Sequence, residues 1–211
     1  MWGAERFDVG GFLDAVAAAE PLPAGEAVGA VAGALAAALA EMGAALTLGR
    51  ARYADAAGEM RRVVRDAAAW RAALLRAADA DVAAYGDYLA ARRLPHASEV
   101  ERRVRDNALA RTRLAATHAP LNVAALAGEV LTFLLIVAER GNRALIGDLA
   151  TGAWLAEAAV RGAVLAMRLN LRDHDDADER AALLAQAMAL QERAMEICAR
   201  VVRIAEEAAG E

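Results

Sequence analysis

Proline punctuates this chain only four times, at Pro21, Pro23, Pro95 and Pro120, and the stretches between are rich in alanine, leucine and arginine. Those residues lose little on entering a helix, and aromatic residues, which favour strands, make up only 4% of the chain. An all-α fold follows. A chain of 211 residues can bury one sizeable core and barely two, so residues 1–211 are expected to form a single helical domain.

Six helical segments can be traced. Arg6 to Ala19 is short, with Phe7, Phe12, Leu13 and Val16 on one face. The Pro21-Leu22-Pro23 turn redirects the chain, because each proline forces its predecessor out of helical geometry. The next helix, about Ala27 to Leu48, is apolar nearly all round and reads as the buried centre of a bundle. Tyr53 to Arg93 reads as one very long helix stopped by Leu94-Pro95, and Ser98 with Glu101 forms a capping-box start for its successor. Pro120 should kink or break that helix after His118-Ala119, and Gly141-Asn142 should end it. A fifth segment runs through Arg168 to Leu171. After the acidic loop Arg172 to Glu179, the last helix carries Leu183, Ala187, Leu190, Ala194, Ile197, Val201 and Ile204 at alternating spacings of four and three, an a/d seam. Long helices with short connections imply an up-and-down bundle of about six helices, several of them long.

The charge pattern narrows the partners. The net charge is -5, and the 24 basic residues, all arginine, are scattered along acidic helices instead of forming a one-sided stripe, so no nucleic acid is expected. Cys198 is the only cysteine, which excludes an intrachain disulfide and suits the reducing cytoplasm. Residues Met1 to Asp8 lack a basic start followed by an apolar core. No apolar run of ~18 residues escapes a charge such as Glu41, Glu129 or Glu157, so a soluble protein without membrane spans is expected. His96, His118 and His174 stand far apart and in no ligand spacing, and no metal is expected. Asp173 to Glu179 alternates carboxylates without the glycine and closing glutamate of a calcium loop, which favours a solvated cap for the last helix.

Two features are left to carry chemistry. Gly25, Gly29 and Gly33 recur every four residues, a face suited to close helix packing, while Ala24-Gly25-Glu26-Ala27 leads into a helix start where free amides attract anions. Asp81 and Asp148 sit among apolar residues and glycine, where a carboxylate either meets an arginine or serves a cationic ligand.

Taken together, several fragments resemble the cyclodeaminase/methenyltetrahydrofolate cyclohydrolase family, a folate-processing helical bundle. The ungapped stretch Phe12 to Tyr53 keeps Pro21, Pro23, Gly25, Gly33, Met42, Leu46, Thr47, Gly49 and Tyr53 of the family pattern. Asp81, Ala84, Tyr85, Ala91, Leu94 and Pro95 match a second fragment, and Pro120, Leu121 and Val123 a third. Gly141, Asn142 and Asp148 match a fourth, and Ala166 to Leu171 a fifth. The family's glycine-rich turn is replaced by Ala24-Gly25-Glu26-Ala27, and its serine before the aspartate by Gly147.

The resemblance implies an enzyme acting on a tetrahydrofolate derivative as substrate, with no bound cofactor or metal. The reaction it implies adds water to the cationic methenyl bridge (cyclohydrolase) or releases ammonia (cyclodeaminase). Asp148 is the first candidate for the catalytic carboxylate and Asp81 the second. Pro23, Gly25, Glu26, Arg50, Tyr53, Asn142, Arg168 and Asn170 form the implied substrate-binding set, with Arg168 or Arg50 meeting the glutamate carboxylates. Glu26 in the altered turn can satisfy the amides an anion would use, so Glu26→Gly is expected to restore folate binding there. Two alternatives remain: a noncatalytic homologue whose altered pocket holds another small molecule, and a structural bundle that dimerises. The regular seam Leu183 to Ile204 and the glycine-alanine faces lead to the expectation of a homodimer.

Overall fold

The computed structural model describes residues 8–172 and 176–210, apart from the side chain of Leu114. The helices are α1 (Val9–Ala17), α2 (Gly25–Thr47), α3 (Ala57–Arg92), α4 (Glu99–Arg140), α5 (Ile146–Asn170) and α6 (Ala177–Gly210), with short 3-10 turns at Ala51–Ala56 and Arg143–Leu145. Consecutive helices from α2 to α6 pack side by side, and α2 also packs on α4 and α5, giving an up-and-down bundle. The core is an alanine-lined seam filled by larger side chains, among them Met60, Leu74, Leu131, Leu134, Leu149 and Met167, all fully buried.

Small residues let the central helices approach closely. A Cβ on Gly33 would meet Leu74 Cδ2 at 3.2 Å, and one on Gly29 would lie 3.8 Å from the Ala159 backbone. Gly25 belongs to a different environment: it is exposed and has nothing within 4 Å, so the expected three-glycine packing face is two glycines long. The tightest glycine is Gly141, where a Cβ would sit 2.6 Å from the Val137 carbonyl oxygen and 3.0 Å from Thr47 Oγ1.

Several expectations hold and several are corrected. Ser98 makes the capping box, its hydroxyl accepting from the Glu101 N–H while the Glu101 carboxylate accepts from the Ser98 N–H. The Gly141 N–H caps α4 through the Val137 carbonyl at 2.7 Å. Tyr53 lies in a 3-10 turn with φ -114° and ψ 21°, so α3 starts at Ala57 instead. α4 continues through Pro120 as one helix of 42 residues, because tertiary packing on both sides outweighs the missing hydrogen bond. α1 has no buried residue, and Val9, Leu13 and Val16 are exposed; Arg6 and Phe7 lie outside the described residues. Asp173, His174 and Asp175 of the acidic loop also lie outside them, while Asp176 Oδ1 caps α6 by accepting from the N–H groups of Asp178 and Glu179.

Three helical stretches, in Gly25–Thr47, Glu99–Arg140 and Arg143–Asn170, are long and apolar enough to cross a membrane by length and composition. Half or more of each is buried inside the bundle, and each run is interrupted by charge as the sequence reading had it. Their interrupting charges sit at the edge of the core: Glu41 pairs with Arg71 at 3.2 Å and Glu157 with Arg161 at 3.1 Å.

Candidate active site

At one end of the bundle the Pro21–Ala24 turn, α2, α3, α4 and α5 enclose a cavity of about 260 Å³. Pro21, Leu22 and Ala24 line the cavity just before α2 begins, and Pro23 between them is buried; the Leu22-Pro23 peptide is cis. Glu26 then falls in the first turn of α2 and lines the cavity. Asp81 and Tyr85 reach it from α3; four residues apart, they share one helix face. Ala116 contributes from α4 and Asn170 from the last turn of α5.

Asp81 dominates the electrostatics. It is only 8% exposed, and burial first, then the charge of Glu26, raises its pKa from 3.8 to about 6. Among the described residues no arginine pairs with it, so the expected neutralising partner is not met. A buried carboxylate held beside a second one is unfavourable unless a cation or proton arrives, and such perturbed groups concentrate at functional sites. The Asn170 side chain is fixed at the cavity edge, its Nδ2 donating to the Ala116 carbonyl oxygen at 2.9 Å.

An adjoining lobe of about 150 Å³ shares Tyr85, Ala116 and Asn170 and adds Tyr88, Arg113 and Leu169. The rings of Tyr85 and Tyr88 lie 5.9 Å apart. One groove therefore has an acidic end, an aromatic middle and a guanidinium. Tyr85 and Tyr88 follow Asp81 at helical spacings of four and seven and were legible as one face. Arg113 had no sequence signal, because only the packing of α4 on α3 brings it there.

The other expected residues are elsewhere. Asp148 is exposed in the first turn of α5, and at ~1.5 Å per residue the helix carries it roughly 33 Å from Asn170. Arg50 is exposed just after the C-terminal end of α2, and Arg168 is exposed on α5 without lining either lobe. Tyr53 lies at the far end, where its phenol oxygen accepts from the Arg143 N–H at 3.4 Å. Asn142 is buried at that end and held by hydrogen bonds. It is 4% exposed, its N–H donates to Thr47 Oγ1 at 2.9 Å, and its Oδ1 accepts from the Ala144 N–H at 3.2 Å. Of the expected set, Asp81, Glu26 and Asn170 therefore line one cavity, with Pro23 and Gly25 beside it in the chain. Glu26 acts there as a charge beside Asp81, a role the helix-start reading did not anticipate.

Cys198 offers no nucleophile. It is buried, and burial together with the neighbouring Glu157 carboxylate pushes its thiol up to about 12.

Comparison with known proteins gives a consistent picture. The family profile described as formiminotransferase-cyclodeaminase matches residues 8–189. The methenyltetrahydrofolate cyclohydrolase of Methylorubrum extorquens is 33% identical over 192 residues, covering 88% of this chain and 92% of that protein. The formimidoyltransferase-cyclodeaminase of Gallus gallus is 32% identical over 168 residues, covering 80% of this chain but 31% of that longer protein. The crystal structure of formiminotetrahydrofolate cyclodeaminase from Thermotoga maritima superposes with a TM-score of 0.86 at 30% identity, over 96% of this chain and 98% of that one.

Proposed function

The chain belongs to the formiminotransferase-cyclodeaminase family, and on that premise we propose that it is an enzyme of folate one-carbon chemistry. It hydrolyses the cationic methenyl bridge of methenyltetrahydrofolate in the cavity around Asp81. The observation that carries this reading is a buried, unpaired carboxylate whose pKa is raised to about 6 beside Glu26. The methenyl bridge between N5 and N10 is a delocalised cation, so it supplies the charge the cavity lacks. Water adds to the bridge carbon and the ionised Asp81 takes one of its protons; the remaining hydroxyl proton then passes to the departing nitrogen as one carbon–nitrogen bond breaks, leaving a formyl group on the other nitrogen. A group titrating near neutral pH is matched to that proton transfer. Arg113, in the adjoining lobe, takes the role expected of Arg168 or Arg50 and meets a glutamate carboxylate of the substrate.

The cyclohydrolase relative, 33% identical and matched over 92% of its length, supports hydrolysis as the first reading. The Thermotoga maritima relative supports ammonia release as the second reading. Loss of the methenyl absorbance and ammonia released from formiminotetrahydrofolate, assayed on one preparation, separate them. Faster hydrolysis is expected, faster ammonia release reverses the order, and a folded chain that binds neither substrate is a noncatalytic homologue.

The working form is a homodimer. The α6 seam expected to mediate it is occupied within the bundle, with Ala187, Ala194, Ile197 and Val201 buried. The open apolar face is instead on α2 and α5, where Val28, Leu35, Leu46, Trp154, Leu165 and Leu169 are exposed. On α2 the exposed or half-buried Val28, Ala32, Leu35, Leu39, Met42 and Leu46 alternate by four and three, the spacing of a helix–helix seam. The expectation that α2 is buried all round is corrected accordingly.

A further inference from the structure

Pro120 sits inside α4 and has no N–H to give to the carbonyl four residues back, which is that of Ala116. Ala116 lines both lobes of the groove. Its carbonyl oxygen instead accepts from the Asn170 side-chain Nδ2 at 2.9 Å, across the gap between α4 and the last turn of α5. One turn earlier, Thr117 Oγ1 donates back to the Arg113 carbonyl at 3.0 Å, a bond that commonly accompanies bent helices.

From this geometry we propose that Pro120 is a positioning residue for the folate site: by leaving the Ala116 carbonyl without its helical donor, it orients the Asn170 amide. With Nδ2 committed to Ala116, Asn170 presents Oδ1 to the ligand as an acceptor. The carboxylate and amide side chains lining the larger lobe, Glu26, Asp81 and Asn170, then all offer oxygen acceptors, beside the Tyr85 hydroxyl, which can accept as well. Such a set selects a ring edge that carries N–H donors or positive charge. The assignment rests on the folate reading above for the ligand, while the Pro120–Ala116–Asn170 link stands on geometry alone.

Pro120→Ala supplies the missing N–H at Ala116, and Asn170 loses its anchor. Affinity for methenyltetrahydrofolate and tetrahydrofolate is expected to weaken about 3- to 10-fold, the range of one lost hydrogen bond. The variant should melt no lower than the parent, because a proline is removed from a helix interior. Asn170→Ala should weaken binding similarly, and adding Pro120→Ala to it should cause no further loss, since the two act on one bond. A Pro120→Ala effect that persists in the Asn170→Ala background overturns the proposal, as does unchanged affinity in the parent background. The Asn170 side-chain amide resonances, assigned by their disappearance in Asn170→Ala, give a readout without ligand. They should move in Pro120→Ala, and unmoved resonances overturn the positioning role even if the parent binds no folate. A parent that binds neither folate while those resonances move refutes the folate reading alone.

Discussion

At the scale of the single residue, Asp81 joins cost and use. Its folded pKa of about 6 lies above the unfolded 3.8, so its favourable contribution to stability is complete below about pH 4 and lost as pH rises through 6. At pH 7 the burial is a liability on the order of 2–3 kcal/mol, from 1.36 kcal/mol per pH unit. Asp81→Asn should therefore raise the melting temperature at pH 7, with the gain vanishing near pH 4. Turnover should fall by about 10²–10⁴, the usual value of a general base. A variant that is more stable but still active would remove Asp81 from the chemistry. Because the ionised form is needed, kcat/KM should decline below about pH 6. Glu26→Gln removes a neighbouring charge that raises Asp81, so this acid limb should shift to lower pH. It should also weaken binding of the cationic methenyl form more than of neutral tetrahydrofolate, the opposite of relief from a blocking carboxylate.

At the scale of the element, the joint between α2, α4 and α5 is held by Thr47. Its hydroxyl donates to the Gly43 carbonyl at 2.7 Å and accepts from the Asn142 N–H at 2.9 Å, inside the core. Gly141 lies against it with no room for a methyl group, and the obstacle includes backbone as well as side chain. Gly141→Ala should cost about 1–3 kcal/mol by overpacking, read from chemical denaturation. Gly25→Ala, at an open position, should stay within about 0.5 kcal/mol. Equal effects at the two sites would show that the close approach at Gly141 is not the source of its strain. The sequence made both glycines visible, Gly25 in a packing face and Gly141 at a helix end, but not their clearances, because periodicity reports a shared face and not the distance to a neighbouring helix.

At the scale of the whole molecule, the groove and the Asp148 end are separated by the length of α5. In the proposed homodimer, an antiparallel arrangement through the α2/α5 face would set one copy's groove beside the partner's Asp148 end and so bring Asp148 to the chemistry. Light scattering should give twice 22.0 kDa at micromolar concentration. Leu35→Arg combined with Trp154→Glu should give a helical monomer. If the site is shared, Asp81→Asn and Asp148→Asn chains are each inactive. Mixed in equal amounts they should recover about a quarter of the activity, since half of the dimers are mixed and each holds one intact site. An Asp148→Asn chain with full activity leaves the Asp81 groove acting alone.

The sequence by itself determined the helices and most of their ends, because propensity, capping at Ser98 and Gly141, and proline punctuation are local effects of a few residues. It also exposed the family through fragments in fixed order, and it named Asp81, second to Asp148, and Asn170 among its candidate site residues. Tertiary structure alone decided which carboxylate is buried, since Asp81 and Asp148 look alike in their neighbours and differ only in what packs over them. It decided that the α6 seam closes on its own bundle while α2 keeps an open face, because a heptad pattern states that a stripe will be covered and not by what. It also joined Pro120 to Asn170, where an orphaned carbonyl readable from the sequence found a donor 54 residues further along the chain.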